Sequence, residues 1–173
     1  LLEIHRKKNK EIDYDKYQSV LITSKNAAFG LCDVAIKKSL PIYCVGDETS
    51  RFIANLGFSN VISASGDVSD LIQLTAENLN PSKGPIVYLS GQHVRHNIKK
   101  ELEYLDFEVD VSVIYEAKEV KSFNVDMLKS LEKKEITGVF LYSPRSARIF
   151  IDNMKRTKLT AVAPDLKVYC ISL

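Results

Sequence analysis

The sequence has no tryptophan, three cysteines, five prolines and only seven glycines in 173 residues. Cys32, Cys44 and Cys170 lie in apolar segments without CxxC spacing, which predicts buried, reduced thiols rather than disulfides. No tight cluster of histidine and cysteine indicates a metal site. The glycines form neither a GxGxxG fingerprint nor a P-loop, so no nucleotide site of those types is indicated.

A strong excess of one charge is also missing, because 24 basic residues face 22 acidic ones. General nucleic-acid binders carry a marked basic excess, so we expect no nucleic-acid partner. No run of about 18 apolar residues occurs, so we expect no transmembrane helix and no membrane partner. Apolar residues still make up 45% of the chain, enough for a hydrophobic core. These features predict a globular, cytoplasmic protein.

The most informative segment is a strand that leads into a helix at 138–150. Val139–Tyr142 is an apolar run, Ser143 is a candidate N-cap, and Pro144 occupies the first helical position. The same pattern occurs earlier, where Ser24 aligns with Ser143 at an offset of 119 residues (143 − 24). The first helical N–H groups lack intrahelical partners, so such junctions attract anions.

A second pair of apolar segments keeps nearly the same spacing. Ile42–Val45 aligns with Val168–Ile171, and Cys44 then matches Cys170 at an offset of 126 residues (170 − 44). Two elements that recur in the same order indicate a duplicated α/β unit. Chance similarity between short apolar strings is the alternative.

Strands and helices alternate along the chain, which predicts a doubly wound parallel sheet. Predicted strands lie at 20–23, 42–45, 60–63, 86–89, 107–115, 136–142 and 167–171. Predicted helices lie at 26–38, 47–56, 67–79, 94–105, 125–131 and 146–154. The first residues look like the end of a strand and the last ones stop at a junction, so we expect a fragment or a shortened chain. The basic run at 6–10 is interpreted as a solvated linker or an exposed ladder.

Ligands of open α/β sheets bind beyond the carboxyl ends of the strands. We therefore expect substrate-binding residues among those that follow the strands. The candidates are Ser24, Lys25, Gly46, Ser90, Gly91, Ser143, Pro144, Arg145, Ser146 and Ser172. His93 and His96 are expected at the surface.

These junctions, in this order, resemble the uroporphyrinogen-III synthase family. The matching pieces are Ile22–Ala27, Val45–Thr49, Leu89–Gly91 with Arg95, Val113–Glu116 and Val139–Ala147. Each motif alone is weak, whereas the ordered set is fairly specific and spans nearly the whole chain. Ser90 departs from the family pattern, since many bacterial members have a basic residue at this position.

The resemblance implies two similar doubly wound, flavodoxin-like domains that are joined by a two-stranded linker and have the active cleft between them. Residues 1–16 would be the linker strand with the N-terminal segment, 17–114 the complete domain, 115–122 the return linker, and 123–173 an incomplete second domain. The family converts the linear tetrapyrrole hydroxymethylbilane to uroporphyrinogen III with inversion of ring D, in heme biosynthesis. We expect a monomer that needs no metal and no organic cofactor.

The resemblance also implies roles for two side chains. Tyr115 matches the family's tyrosine, and a tyrosine hydroxyl is protonated at neutral pH and can assist departure of the substrate hydroxyl. An aromatic side chain with only a packing role in its strand is the alternative. Thr49 matches a family threonine, with a helix-capping hydroxyl as the alternative. Ser24 and Ser143 could serve as helix caps alone. The substrate has eight carboxylates, which suits N–H donors and a few cations.

A non-catalytic α/β binding or regulatory module, such as a flavodoxin-like receiver, is the alternative class. A receiver needs an acidic cluster at the strand ends. Asp47, Glu48 and Asp67 do not occupy its usual positions, and no lysine ends the last strand of the complete unit.

Overall fold

The computed structural model describes residues 1–7, 12–32, 34–94 and 96–170, with the backbone alone at 162 and 163. Ser172 and Arg95 therefore lie outside the described residues. The strands are β1 (Leu2–Arg6), β2 (Ser19–Ile22), β3 (Ile42–Val45), β4 (Val61–Ala64), β5 (Ile86–Gly91), β6 (Val109–Glu119), β7 (Gly138–Leu141) and β8 (Lys167–Cys170). The α-helices are α1 (Lys25–Ala28), α2 (Asp47–Asn55), α3 (Val68–Asn78), α4 (Ile98–Glu103), α5 (Val125–Glu132) and α6 (Pro144–Arg156). Two compact units are present, one formed by Ile4–Ala117 and the other by Leu1–Glu3 with the described residues from Lys118 onward.

The main sheet has the strand order β1-β6-β5-β2-β3-β4, in which β6, β5, β2, β3 and β4 run parallel to one another. Counted along the chain, these five parallel strands follow the order 3-2-1-4-5. This order differs from the flavodoxin-like 2-1-3-4-5 that we expected. The mixed α/β class with a mainly parallel sheet is confirmed, and the flavodoxin-like detail is not.

Helices cover both faces of this sheet because its strands are apolar on both sides. Val20 and Ile22 on one face belong to a core that includes Ile53 of α2. Leu21 on the other face belongs to a second core, which includes Leu71 of α3. This arrangement is the three-layer packing of a doubly wound domain.

The first helix is much shorter than its sequence pattern predicts. The pattern predicts a helix over 26–38, but α1 ends at Ala28, a 3-10 turn covers Phe29–Leu31, and 34–40 are not helical. Gly30 lies against β6, where an added Cβ would clash with Cδ1 of Ile114. Glycine lowers helix propensity by about 1 kcal/mol relative to alanine, and this close packing holds the segment on the sheet instead.

Strands β7 and β8 form a separate parallel pair in the second unit, packed against α5 and α6 through a core that contains Phe150. Their register reproduces that of β2 and β3. Ile22 pairs with Cys44, and Leu141 pairs with Cys170. These are the residues that the two sequence offsets match to each other. The repeat seen in the sequence is therefore also a repeat of strand pairing.

The edge strand β1 runs antiparallel to β6. The N–H of Lys7 donates to the carbonyl oxygen of Ile114 at 2.9 Å, and that of Val120 donates to the carbonyl oxygen of Leu1 at 3.0 Å. Strand β6 extends to Glu119, four residues beyond the predicted strand end at Tyr115. The pairing with β1 explains this length, because it supplies hydrogen-bond partners beyond the end of β5.

Candidate active site

A β-bulge orients Tyr115 at the carboxyl edge of the main sheet. Ser90 pairs with Val113 but Gly91 pairs with Tyr115, so β6 holds one extra residue, Ile114, at this point. Bulges redirect side chains next to functional sites. Here the bulge allows Ile114 and Tyr115 to pack against the same core.

Gly91 provides the space in which the Tyr115 ring lies. A Cβ atom at Gly91 would be 2.6 Å from Cζ and 2.8 Å from Oη of Tyr115. The backbone of Tyr115 is also held, because the N–H of Gln92 donates to its carbonyl oxygen at 2.8 Å. Any other side chain at position 91 would displace the ring.

Ser24 holds the tyrosine hydroxyl. Its Oγ lies 3.2 Å from Oη of Tyr115 and also accepts a hydrogen bond from the N–H of Ala27 at 3.2 Å. Ser24 is therefore the N-cap of α1 and a contact of Tyr115 at once. The sequence predicted the cap, whereas it did not predict the contact with Tyr115.

A depression of about 350 Å³ opens beside this pair. It is lined by Thr23, Ser24, Val68, Tyr88, Gly91, His93, Val94, His96, Ile98 and Tyr115. Tyr88 and Thr23 were not singled out from the sequence, and their hydroxyl oxygens lie 3.1 Å apart. Burial raises the pKa of Tyr88. Its position inside an apolar strand offered no signal of a role at the site.

His93 and His96 are exposed, as expected, and both line this depression. His96 lies close to the N-cap of α3. The pKa of Asp67 is lowered mainly by hydrogen bonds from the N–H groups of Ser69 and Asp70, with a smaller contribution from His96. Within the described residues, no group of histidine, cysteine and acidic side chains could hold a metal ion.

Thr49 and Gly46 lie at the start of α2 and do not line the depression. Gly46 is the N-cap with φ of 84°, and Thr49 is buried in the first turn. Asp47 and Glu48 make this turn acidic, which weakens its attraction for an anion. The strand-to-helix pattern favours an anion site at this junction, but these two charges oppose it.

Lys25 and Ser90 are also less accessible to a ligand than the sequence suggested. The Lys25 ammonium lies 2.9 Å from the Glu48 carboxylate, and this contact lowers the pKa of Glu48. Ser90 is buried, with 2% of its surface exposed. Its neighbour Gly91 is the member of that motif that contacts Tyr115.

The junction predicted at Ser143 is present in the second unit. Ser143 caps α6 by accepting from the N–H of Ser146 at 3.1 Å, and Pro144 occupies the first turn. No acidic residue lies in that turn. Arg145 and Arg148 both approach the Glu119 carboxylate, at 3.4 and 3.8 Å. This helix start is more favourable for an anion than that of α2.

Together, the doubly wound fold and this edge define an α/β protein with a hydroxyl-lined ligand site beyond the strand ends. Residues 2–173 match the profile of the family "Uroporphyrinogen-III synthase HemD". The chain belongs to that family, so the resemblance seen in the sequence is confirmed. It is accordingly a cyclising enzyme, a lyase of porphyrin and heme biosynthesis, and it acts on a small tetrapyrrole.

One curated protein and two solved structures show what this chain is similar to. The chain is 25% identical over 210 residues to the uncharacterized protein RP474 of Rickettsia prowazekii, covering 96% of this chain and 74% of that protein. Its fold is similar to uroporphyrinogen-III synthetase from Helicobacter pylori, with a TM-score of 0.66, 18% identity and coverage of 98% and 83% of the two chains. Uroporphyrinogen III synthase from Thermus thermophilus has a TM-score of 0.52, 10% identity and coverage of 98% and 73%. No helix in the described ranges has the length and apolar character needed to span a membrane.

Proposed function

We propose that Tyr115 is the proton donor when this enzyme closes hydroxymethylbilane to uroporphyrinogen III with inversion of ring D. The observation that supports this role is the hydrogen bond between Tyr115 and Ser24 at the carboxyl edge of the sheet, 3.2 Å between hydroxyl oxygens. A general acid must be within hydrogen-bond reach of the atom that it protonates. The depression beside Tyr115 offers that access.

The proposed step breaks the bond between the ring-A methylene carbon and its hydroxyl oxygen. The pyrrole nitrogen lone pair drives the departure, and the Tyr115 hydroxyl gives its proton to the leaving oxygen, so that water is released. The electrophilic azafulvene that remains is attacked by the α-carbon of ring D that already carries the bridge to ring C, which gives a spiro intermediate. The bond between that carbon and the bridge methylene then breaks, and the methylene bonds to the free α-carbon of ring D, so that ring D is inverted. The proton lost in forming the new ring restores the tyrosine, so the net reaction is ring closure with loss of one water.

Ser24 acts on Tyr115 rather than on the leaving group in this proposal. Its oxygen already accepts from the N–H of Ala27, so its own proton is free for Tyr115 or for substrate. Holding the reacting atoms about 3 Å apart and correctly oriented lowers the activation free energy substantially.

The remaining candidates are proposed to bind substrate carboxylates. Ser143, Pro144, Arg145, Ser146 and Ser172 form one group, and Ser24, Lys25, Gly46, Ser90 and Gly91 the other. In the first group, the unopposed first turn of α6 favours the role. In the second group, the acidic residues beside Gly46 and Lys25 weaken the attraction of these two residues for a carboxylate.

The division of the chain into domains is also a proposal. We infer two related α/β domains, 17–114 and 123–173, connected by residues 1–16 and 115–122. Equal strand register in the pairs β2–β3 and β7–β8 supports the relationship. We propose a cytoplasmic monomer that has no nucleic-acid partner.

The test mixes purified protein with hydroxymethylbilane and separates the two ring isomers after oxidation to porphyrins. We expect uroporphyrinogen III, with inverted ring D, as the main product. Product with ring D uninverted, at the rate found without protein, would contradict the proposed activity and favour a non-catalytic binding module.

A further inference from the structure

Two cations at the end of β1 have no role in the site described so far. Arg6 is the last residue of the edge strand β1 and Lys7 follows it, and both are exposed. The backbone N–H of Lys7 donates to the carbonyl of Ile114, the residue before Tyr115. The Lys7 ammonium donates to Oε1 of Gln92, the residue whose N–H holds the Tyr115 carbonyl. The start of the basic run is therefore paired at the sheet edge, which agrees with the exposed ladder that the sequence left as an alternative to a solvated linker.

Arg6 is held in place by an aromatic pair. Its guanidinium carbon lies 4.5 Å from the centre of the Phe29 ring, and Phe29 packs edge-on against Phe52 at 4.8 Å. A cation held over a ring keeps its charge while losing little freedom when an anion arrives. Beneath the two cations lies a small recess of about 50 Å³, lined by Arg6, Lys7, Asn26, Phe29, Gly30 and Ile114.

Other cations near the candidate sites already face carboxylates. Lys25 pairs with Glu48 at 2.9 Å, and Arg145 with Glu119 at 3.4 Å. Within the described residues, no carboxylate forms an ion pair with Arg6 or Lys7. Their charges are therefore available to a ligand.

We propose that Arg6 and Lys7 bind carboxylate side chains of the substrate at the end of β1, beside Ile114 and Gln92. The ligand class is an alkyl carboxylate, such as an acetate or propionate group on a pyrrole ring. This inference rests on the proposed function, because it takes the tetrapyrrole as the ligand. Two cations on one strand end match a substrate with acidic side chains on every ring. They set affinity and orientation, whereas Tyr115 carries out the proton transfer.

The test compares Arg6→Gln, Lys7→Gln and the double variant with Lys83→Gln. Lys83 is exposed and lies before β5, at the opposite edge of the sheet from Gly91, so it controls for the loss of one charge. Turnover of hydroxymethylbilane gives KM and kcat. Fluorescence titration of uroporphyrin III gives a dissociation constant that does not depend on turnover.

We expect KM and the uroporphyrin dissociation constant to rise about 3-fold in each single variant and about 10-fold in the double variant. We expect kcat to change by less than about 2-fold, and the salt dependence of KM to become weaker. Arg6→Lys should restore most of the affinity, and Lys83→Gln should match the parent protein.

Unchanged KM and unchanged dissociation constants in the double variant would overturn the inference. A fall in kcat alone would also contradict it, because that result indicates a role in the chemical step. Either outcome leaves the proposed function intact if the parent protein makes uroporphyrinogen III. If the parent makes none, the proposed function fails, and the porphyrin titration still tests the carboxylate site.

Discussion

The hydroxyl oxygens of Tyr115 and Ser24 lie 3.2 Å apart although 91 positions separate the two residues in the chain. Ser24 follows β2 and Tyr115 lies in β6, so neither residue is near the other until the sheet has formed. Strand β5 lies between these two strands, and its last residue, Gly91, leaves the space that the ring fills. This relationship combines a helix cap, a bulge and a glycine in one arrangement.

Tyr115→Phe should lower the rate of ring closure by roughly 10-fold or more, since a positioned general acid contributes about 10²–10⁴-fold and this leaving group departs fairly readily unaided. The substitution removes only the hydroxyl, so the unfolding midpoint should stay close to that of the parent. Steady-state turnover of hydroxymethylbilane measures the effect. Tyr104→Phe is the control, because Tyr104 is 75% exposed and lies outside the depression. Full rate and isomer purity in Tyr115→Phe would show that another group donates the proton.

Gly91→Ala should lower the rate by displacing the Tyr115 ring, because the new methyl group would lie 2.6 Å from Cζ. The decisive measurement is a double-mutant cycle with Tyr115→Phe. If Gly91 acts only through the hydroxyl, Gly91→Ala should cost about 10-fold in the parent and less than about 2-fold in the phenylalanine background. Equal losses in both backgrounds would indicate general damage to the sheet edge instead.

Thr49→Val should leave the rate within about 2-fold of the parent, since Thr49 is buried and does not line the depression beside Tyr115. Valine keeps the shape and removes the hydroxyl, so a change in unfolding free energy reports its hydrogen bonding. Turnover and urea unfolding are measured on the same preparation. Loss of turnover in a stably folded Thr49→Val protein would make Thr49 a catalytic residue and would reverse the roles proposed for it and Tyr115.

Asp110→Asn should destabilise the unit formed by Ile4–Ala117 at neutral pH and have little effect in acid. Asp110 accepts from the Tyr17 hydroxyl at 2.7 Å and pairs with Lys16 at 2.9 Å, and these contacts lower its pKa. A lowered pKa in the folded state stabilises the protein above about pH 4, the usual value for unfolded aspartate, and this contribution is lost as the pH falls through the folded-state pKa.

We expect a loss of about 0.5–1 kcal/mol at pH 7, since the carboxylate is partly exposed. The difference between Asp110→Asn and the parent should shrink below about pH 4. Urea unfolding across roughly pH 2.5–7, with the exposed Asp106→Asn as the matched control, measures it. A difference that stays constant over that range would mean that the charge of Asp110 does not contribute.

Local patterns predict the structure correctly where a few neighbouring residues decide it. Ser24 and Ser143 cap helices with nearly the same backbone angles, φ of −156° and −162°. An apolar run followed by serine is enough to predict that junction, because the serine side chain accepts a hydrogen bond from an N–H only three residues away. The family could be recognised for the same reason, since its motifs are short segments in a fixed order.

The amino-acid sequence by itself determined the α/β class, the two serine-capped junctions and the family. Only the tertiary structure decided the strand order, the short α1, the direction of the Tyr115 hydroxyl and the contact of Lys7 with Gln92. The length of α1 depends on Gly30 meeting Ile114, and the tyrosine depends on Gly91 and Ser24. Each of these outcomes is a contact between residues far apart in the chain. Local propensity cannot encode such contacts, because they form only when separate strands are brought together in one sheet.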